Sequence, residues 1–215
     1  MDMDGGRRKV PSMSVSYYDR NASNFFADTA HADLSATYAR FLAHVPSGGA
    51  ILEAGCGAGR DALAFKRAGY AVTAFDGSAK MAELARAHCG LAVLHKRFDE
   101  VDWTETFDGI WACASLLHVP RAALDDALAR LARALKPGGV FYASFKYGDG
   151  ERFIHERHFT DMTETTIADA IAAVGLAVLD VWITDDVRPG REGERWVNAI
   201  AMKSPAPSRE ADLTA

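Results

Sequence analysis

The residues most suited to chemistry lie in one glycine-rich stretch, Glu53 to Asp61, with the sequence EAGCGAGRD. Its glycines, Gly55, Gly57 and Gly59, are spaced G-x-G-x-G and follow a short apolar run. Glycine lets the backbone turn sharply and lets a ligand approach closely, because it has no Cβ. In the dinucleotide-binding pattern G-x-G-x-x-G, a third glycine would stand at position 60, where this chain has arginine. The stretch therefore predicts a ligand-binding loop and disfavours a pyrophosphate at the following helix.

A carboxylate stands at the end of the next apolar run, in the sequence Phe75-Asp76-Gly77-Ser78. A carboxylate in that position can accept hydrogen bonds from both hydroxyls of a ribose. The structural alternative is an acid favoured by the macrodipole at the start of a helix. Because Asp76 follows the glycine loop at the next strand end, we expect the two to hold a nucleoside together.

The elements that must position these residues follow from hydrophobic patterning and from turn signals. Apolar runs predict seven strands over 50–54, 71–75, 91–94, 107–114, 140–145, 176–183 and 196–202, with a turn at 136–139. Amphipathic stretches predict helices over 16–27, 34–44, 60–68, 78–88, 121–135 and 163–174. This alternation predicts an α/β fold, a Rossmann-like three-layer sandwich whose mostly parallel seven-stranded sheet has an antiparallel last strand. Ligands of such sheets bind beyond the carboxyl ends of the strands, so the glycine loop should line the site.

These residues closely resemble motifs I and II of the class I S-adenosylmethionine-dependent methyltransferases. The resemblance continues at the fourth strand, in the segment after it, in the LKPGG turn and in a first helix that covers the cofactor in many small-molecule members. The corresponding residues are Phe107–Ala112, Leu116–Val119, Leu135–Val140 and Tyr17–Ala22. The likeness covers residues 16–203 and is nearest to the small-molecule, tellurite-resistance-like branch. It implies S-adenosylmethionine as cofactor and S-adenosylhomocysteine as product.

The resemblance also implies which residues contact the cofactor. In many relatives an acid after the third strand meets the adenine amino group, but here Arg97 occupies that place and Asp99 could replace it. Phe98 is expected to lie against the adenine, and Asp76 to hold the ribose. The full set implied to bind the cofactor is Tyr18, Glu53, Gly55, Cys56, Gly57, Gly59, Arg60, Asp76, Gly77, Ser78, Met81, Arg97, Phe98, Asp99, Cys113 and Ala114.

A sulfonium methyl is already electrophilic, so transfer by in-line displacement needs mainly alignment and exclusion of water. If the acceptor must lose a proton, His118 is the candidate base, and packing or hydrogen bonding is its alternative role. Lys146 and Tyr147, at the end of the fifth strand, are expected to face the substrate. His155 and His158 form a His-x-x-His pair in a segment that we interpret as a loop, and no third ligand is suggested nearby. We therefore predict no metal site.

Composition bounds the remaining possibilities. The 215 residues suit one domain, and a formal net charge of −5 disfavours nucleic acid as a partner. The three cysteines form no CxxC pair, which fits reduced thiols in a cytoplasmic protein. No run approaches the ~18 apolar residues of a membrane span, and no signal peptide is evident. We expect a flexible segment 1–15, one methyltransferase domain over 16–203 with covering helices in 16–45, and a flexible tail 204–215.

The function expected from the sequence is methyl transfer to a small-molecule substrate by a cytoplasmic monomer or homodimer. No Asn-Pro-Pro-Tyr tetrad follows the fourth strand, which counts against the planar amino groups of bases or glutamine as acceptors. Two alternatives stay open. One is an RNA or protein methyltransferase, which would need a basic or grooved face. The other is a domain that binds S-adenosylmethionine without transferring its methyl group.

Overall fold

The computed structural model describes residues 13–205, and its centre is a seven-stranded sheet in the order β3-β2-β1-β4-β5-β9-β8. The sheet is parallel except for β9, which is antiparallel to both neighbours. The predicted sheet with one antiparallel last strand is thereby confirmed. The strands are β1 Ala50–Ala54, β2 Ala71–Asp76, β3 Val93–His95, β4 Phe107–Ala112, β5 Leu135–Lys146, β8 Leu176–Asp185 and β9 Arg195–Lys203.

Six helices accompany the sheet in the described residues: α1 Met13–Thr29, α2 Ser35–Leu42, α3 Arg60–Arg67, α4 Ala79–Cys89, α5 Arg121–Ala134 and α6 Glu164–Ala173. Each overlaps a predicted helix, although α1 begins three residues before the predicted start. Ser78 caps α4 by accepting from the Met81 backbone N–H, and Thr163 caps α6 in the same way. The predicted segment 1–15 and tail 204–215 lie largely outside the described residues.

Alternation along the strands divides the core into two layers. Leu52 of β1 packs in a cluster with residues of α5 and α6. Its neighbour Ile51 points to the opposite face and packs with Phe41 of α2 and Phe65 of α3. Because successive strand residues face opposite sides of a sheet, these short apolar runs can be covered by helices on both faces. This is the predicted three-layer sandwich.

A separate hairpin of β6 Gly150–Ile154 and β7 Arg157–Asp161 was not predicted, and reading this segment as a loop was wrong. Its two-residue turn is His155-Glu156, and both residues have positive φ, 47° and 65°. Such turns usually carry Asn-Gly or Asp-Gly, so this sequence lacked the usual signal. The hairpin packs on α1 and on the short 3₁₀ helix Leu116–His118.

The predicted turn 136–139 falls inside the bounds of β5, and the predicted fourth strand ends two residues early, at Ala112. The pairing of β4 with β5 shifts register between Phe107 and Gly109, and Gly138 has a φ of 77°. The LKPGG segment therefore forms the irregular first part of β5, in which Leu135 still pairs with β4. No helix among residues 13–205 combines the length and apolarity needed to cross a bilayer.

Candidate functional site

A cavity of about 1080 Å³ lies beyond the carboxyl ends of β1, β2, β4 and β5. Most of the residues predicted to bind cofactor or substrate line it: Tyr18, Gly55, Cys56, Gly57, Arg60, Asp76, Gly77, Ser78, Met81, Arg97, Phe98, Asp99, Cys113, Ala114, His118, Lys146 and Tyr147. Two predicted residues, Glu53 and Gly59, do not line it. Four separate strand ends thus contribute to one volume, as parallel sheet topology requires.

The glycine loop binds the end of β1 to the end of β2. The backbone N–H groups of Gly55 and Cys56 both donate to the Phe75 carbonyl oxygen, at 2.9 Å each. Gly55 has a φ of 79°, and a Cβ added there would lie 2.5 Å from the Ser115 Cβ. Glycine is therefore required at position 55 by both backbone conformation and contact. Gly59 instead packs on α4, where an added Cβ would meet the Ala85 Cβ at 3.0 Å.

Asp76 is held in place by the loops on either side of it. Its Oδ2 accepts from the Gly57 N–H and its Oδ1 from the Ser78 N–H, each at 2.8 Å. Burial raises the pKa of the Asp76 carboxyl group, and these two hydrogen bonds oppose the rise. Each oxygen has a second lone pair, so both can also accept from ligand hydroxyls in the cavity.

The wall after β3 is built from Arg97, Phe98 and Asp99. The Phe98 ring lies edge-on to the Phe75 ring, with centroids 5.5 Å apart. The Arg97 guanidinium donates to both oxygens of Asp99, at 3.1 and 2.7 Å. Asp99 thus faces the cavity as part of an ion pair, and it stays the predicted substitute for the missing acid.

Behind the loop, a buried polar group contains a residue that the sequence analysis missed. Asp61 accepts hydrogen bonds from the Tyr38 hydroxyl at 2.5 Å and from the Trp111 indole Nε1 at 2.8 Å. Arg60 pairs with the same carboxylate and also donates to the Thr29 carbonyl oxygen. Burial raises the pKa of Asp61, but the Arg60 charge and the hydrogen bonds from Arg60, Tyr38 and Trp111 together hold the pKa below its usual value. An acid next to Arg60 in a helix that faces the sheet was the available sequence signal.

Glu53 lies deeper in the same region, with 2% of its surface exposed. Burial and the neighbouring Asp61 charge raise the pKa of Glu53 well above its ordinary value. Its Oε2 atom is buried without a hydrogen-bond partner. In this structure Glu53 stands behind the loop rather than on the cavity wall, so a direct contact with a ligand stays a prediction.

His118 and Tyr18 form a hydrogen-bonded pair on the cavity wall. The His118 Nδ1 lies 2.7 Å from the His158 carbonyl oxygen, which can only accept, so Nδ1 carries the proton. The His118 Nε2 lies 2.7 Å from the Tyr18 hydroxyl and accepts from it. Burial lowers the pKa of His118 to about 4, and the nearby Arg157 charge contributes. The ring is therefore neutral at physiological pH, and its basic nitrogen is occupied.

Lys146 is buried in an ion-pair network that closes the far side of the cavity. Its ammonium group donates to Asp186 at 3.0 Å and also pairs with Glu194. Both acids come from the connection 185–194, whose charged composition was the sequence signal for a polar wall. Tyr147 lies beside Lys146, with the Arg195 guanidinium 4.4 Å from its ring centroid.

The two histidines of the His-x-x-His pair have different surroundings in the hairpin. His155 lies in the hairpin turn, and the His158 Nε2 lies 2.9 Å from the Glu151 carboxylate. Among residues 13–205, no group of three potential ligands could hold a metal ion.

Comparison with known proteins gives an independent view of this site. Residues 51–139 match the family model described as a methyltransferase domain. Methyltransferase GfsG of Streptomyces halstedii is 34% identical over 44% of this chain and 37% of its own length. Demethylmenaquinone methyltransferase of Tropheryma whipplei is 32% identical over 61% of this chain and 55% of its own. The chain thus spans about a third to a half of the length of the curated relatives that it matches.

A solved structure is similar over nearly the whole chain. It is 1,6-didemethyltoxoflavin-N1-methyltransferase of Burkholderia thailandensis, with bound 1,6-didemethyltoxoflavin and S-adenosylhomocysteine. It is 25% identical, covers 91% of both chains and superposes with a TM-score of 0.73. The matched domain covers the stretch from β1 to the start of β5, and the superposition extends the likeness to the full sheet. Residues 51–139 therefore match a methyltransferase domain, and the chain as a whole has the fold of the class I S-adenosylmethionine-dependent methyltransferases.

Proposed function

We propose that this protein is an enzyme that transfers the methyl group of S-adenosylmethionine to a small-molecule acceptor. The observation that carries the proposal is the convergence of the glycine loop, Asp76 and Cys113–Ala114 on one cavity. A loop that excludes side chains beside a carboxylate with free lone pairs suits an adenosyl group with an adjoining chain.

The residues present fit this cofactor. Asp76 would hold the ribose hydroxyls, Phe98 and Met81 would border the adenine, and Gly55 and Gly57 would leave room for the chain that carries the sulfur. The cavity volume of about 1080 Å³ lies at the upper end of typical ligand pockets, which measure about 300–1,000 Å³. When bound, S-adenosylmethionine supplies an electrophilic methyl group that is displaced in line from sulfur.

The chain's own residues contribute alignment and exclusion of water. Helix α1 covers the cavity, and its Asp19 accepts from the Ser78 hydroxyl at 2.6 Å, which holds the helix to the cofactor side. The hairpin is held to α1 by a hydrogen bond from the His158 N–H to the Ser14 hydroxyl. Positioning two reactants in a closed site can contribute about 7–11 kcal/mol in favourable cases.

The proposed acceptor is small because the parts that cover the cavity are short: α1, the start of α2 with the connection before it, the hairpin and the connection 185–194. The structurally similar enzyme acts, by its name, on 1,6-didemethyltoxoflavin, a small molecule. The formal charge of −5 also disfavours a nucleic acid acceptor.

The test has two parts. Calorimetry should show binding of S-adenosylhomocysteine, and isotopically labelled S-adenosylmethionine incubated with pools of small acceptors should yield a labelled product. RNA and protein pools serve as the comparison. No binding of either cofactor form would refute the assignment, while binding without transfer to any pool would leave only a cofactor-binding domain.

A further inference from the structure

Arg157, a cation on the cavity wall, has no carboxylate partner among residues 13–205. Arg157 of β7 lines the cavity, with its guanidinium 4.8 Å from the Tyr17 ring centroid and 5.2 Å from the Phe159 ring centroid. Its Nε is buried and has no hydrogen-bond partner. In the part of the chain that the structure describes, no carboxylate forms an ion pair with Arg157.

Two other cavity arginines show what Arg157 lacks. Arg152, on the partner strand of the hairpin, stacks on the same Phe159 ring but pairs with the Asp161 carboxylate. Arg188 donates to both oxygens of Asp186, at 2.8 and 2.6 Å. Their charges are compensated inside the protein, so they present little net attraction to an anion in the cavity.

The neighbours of Arg157 do not compensate its charge either. Its field contributes to the pKa of both Tyr18 and His118, and both of these groups are neutral. The Asp76 carboxylate also influences the pKa of Tyr18, but it forms no ion pair with Arg157 in the described part of the chain. A partly buried charge without a partner is costly, so such a site favours an anion supplied from outside.

We propose that Arg157 binds an anionic group of the methyl acceptor, which therefore belongs to the acidic small molecules: enols, phenols, carboxylic acids or acidic ring N–H groups. This inference rests on the proposed function. The acceptor loses its proton to water when it binds as the anion, and its oxygen or nitrogen then donates an electron pair to the methyl carbon. The methyl–sulfur bond breaks with its pair retained by sulfur. His118, whose basic nitrogen already accepts from Tyr18, is not needed as a base.

The probe for this site is 4-nitrophenol, whose absorbance reports its own ionisation. The protein is first saturated with S-adenosylhomocysteine. We then expect the pKa of bound 4-nitrophenol to lie roughly one unit below its value in water, because a nearby cation stabilises the phenolate. Arg157→Met should abolish this shift, and Arg157→Lys should retain part of it. Arg130→Met, at an arginine of α5 that lies outside the cavity and pairs with the exposed Asp126, is the control and should behave as the wild type. The inference would be overturned if 4-nitrophenol bound to the wild type had the same pKa as in water. It would also be overturned if both Met variants lost the pKa shift to the same extent.

A second measurement separates acceptor binding from cofactor binding. We expect Arg157→Met to bind S-adenosylhomocysteine within about threefold of the wild type. If it loses tenfold or more while affinity for 5′-methylthioadenosine is unchanged, Arg157 holds the cofactor's carboxylate and the inference is wrong. Failure of the wild type to bind S-adenosylhomocysteine would instead remove the proposed function, and this inference with it.

Discussion

At the scale of single residues, the site depends on polar groups that are positioned by backbone before any ligand arrives. Asp76 is the clearest case, because two N–H groups from opposite sides fix both of its oxygens. Such a carboxylate loses little conformational freedom on binding a ribose, so most of the hydrogen-bond energy can appear as affinity.

Replacing Asp76 by alanine should lower the affinity for S-adenosylhomocysteine by tenfold or more, because it removes charge-assisted hydrogen bonds. Isothermal calorimetry measures this directly. Asp126→Ala, which removes an exposed ion-pair partner of Arg130 on α5, is the control and should bind normally. Unchanged affinity in Asp76→Ala would contradict the role given to this residue.

His118 provides a second test at this scale. The groups that face its ring are Tyr18 of α1, Arg157, the His158 carbonyl and Phe159 of the hairpin. With its pKa lowered to about 4, the ring should stay neutral between pH 5 and 8 in NMR titrations. Arg157→Met should raise the midpoint, since a nearby positive charge is removed. Titration of the wild-type ring near pH 6.5 would show that burial does not govern it.

Because the folded-state pKa of His118 lies below the unfolded value of about 6.5, its contribution to stability is present above that pH. The contribution is lost as the pH falls toward 4. This sign is opposite to that of a histidine that gains a carboxylate partner.

At the scale of elements, the glycine loop and the segment after β4 are fitted to each other. The Ser115 hydroxyl donates to the Ala54 carbonyl oxygen at 2.6 Å, which brings Ser115 directly against Gly55. The close contact leaves no room for a side chain at position 55, and both residues line the cavity.

Gly55→Ala should therefore destabilise the fold by about 3 kcal/mol or more, as both a strained φ and a steric overlap add to the free energy. Gly69→Ala is a matched control: Gly69 has a φ of 88°, but an added Cβ meets nothing within 4 Å. It should cost only about 1–2 kcal/mol, from backbone strain alone. Urea unfolding measures both variants, and equal losses would show that the Ser115 contact is unimportant.

At the scale of the whole molecule, the cavity is closed by the connection between the two C-terminal strands, β8 and β9. Asp186 joins this connection to β5 through Lys146, and it also accepts from Arg188 and from the Trp196 indole. Its side chain is 2% exposed. Burial raises the pKa of Asp186, but the hydrogen bonds from Arg188 and Lys146 outweigh burial and hold it well below its usual range.

Asp186→Asn should lower the free energy of unfolding at pH 7 by about 2–3 kcal/mol, because it removes hydrogen bonds between charged groups. The stabilisation is present above the unfolded pKa of about 3.9, since the folded pKa is depressed. The difference between wild type and variant should therefore shrink as the pH falls from 5 to 2. Chemical denaturation across this range measures it, and a difference independent of pH would argue against an ionic origin. Asp185→Asn, at the neighbouring position, serves as control.

The sequence by itself determined the central sheet and most helix positions, and by resemblance it predicts which residues bind the cofactor. These features follow from local rules: glycine where φ is positive, apolar runs for buried strands, and Ser78 and Thr163 as helix caps. Parallel strands bring their carboxyl ends to one edge, so residues far apart in sequence, such as Gly55 and Asp76, could be assigned to one site.

Only the tertiary structure decided which charges are compensated. Lys146 lines the cavity, and its contact with a substrate stays a prediction. Two acids from the connection 185–194 compensate its charge, and no local sequence pattern predicts that pairing. The sequence analysis did not predict a role for Arg157, because its hairpin lacks the standard turn residues and was not predicted. Its importance comes from the absence of a nearby anion among the described residues, and partners distant in sequence are fixed only when the chain folds.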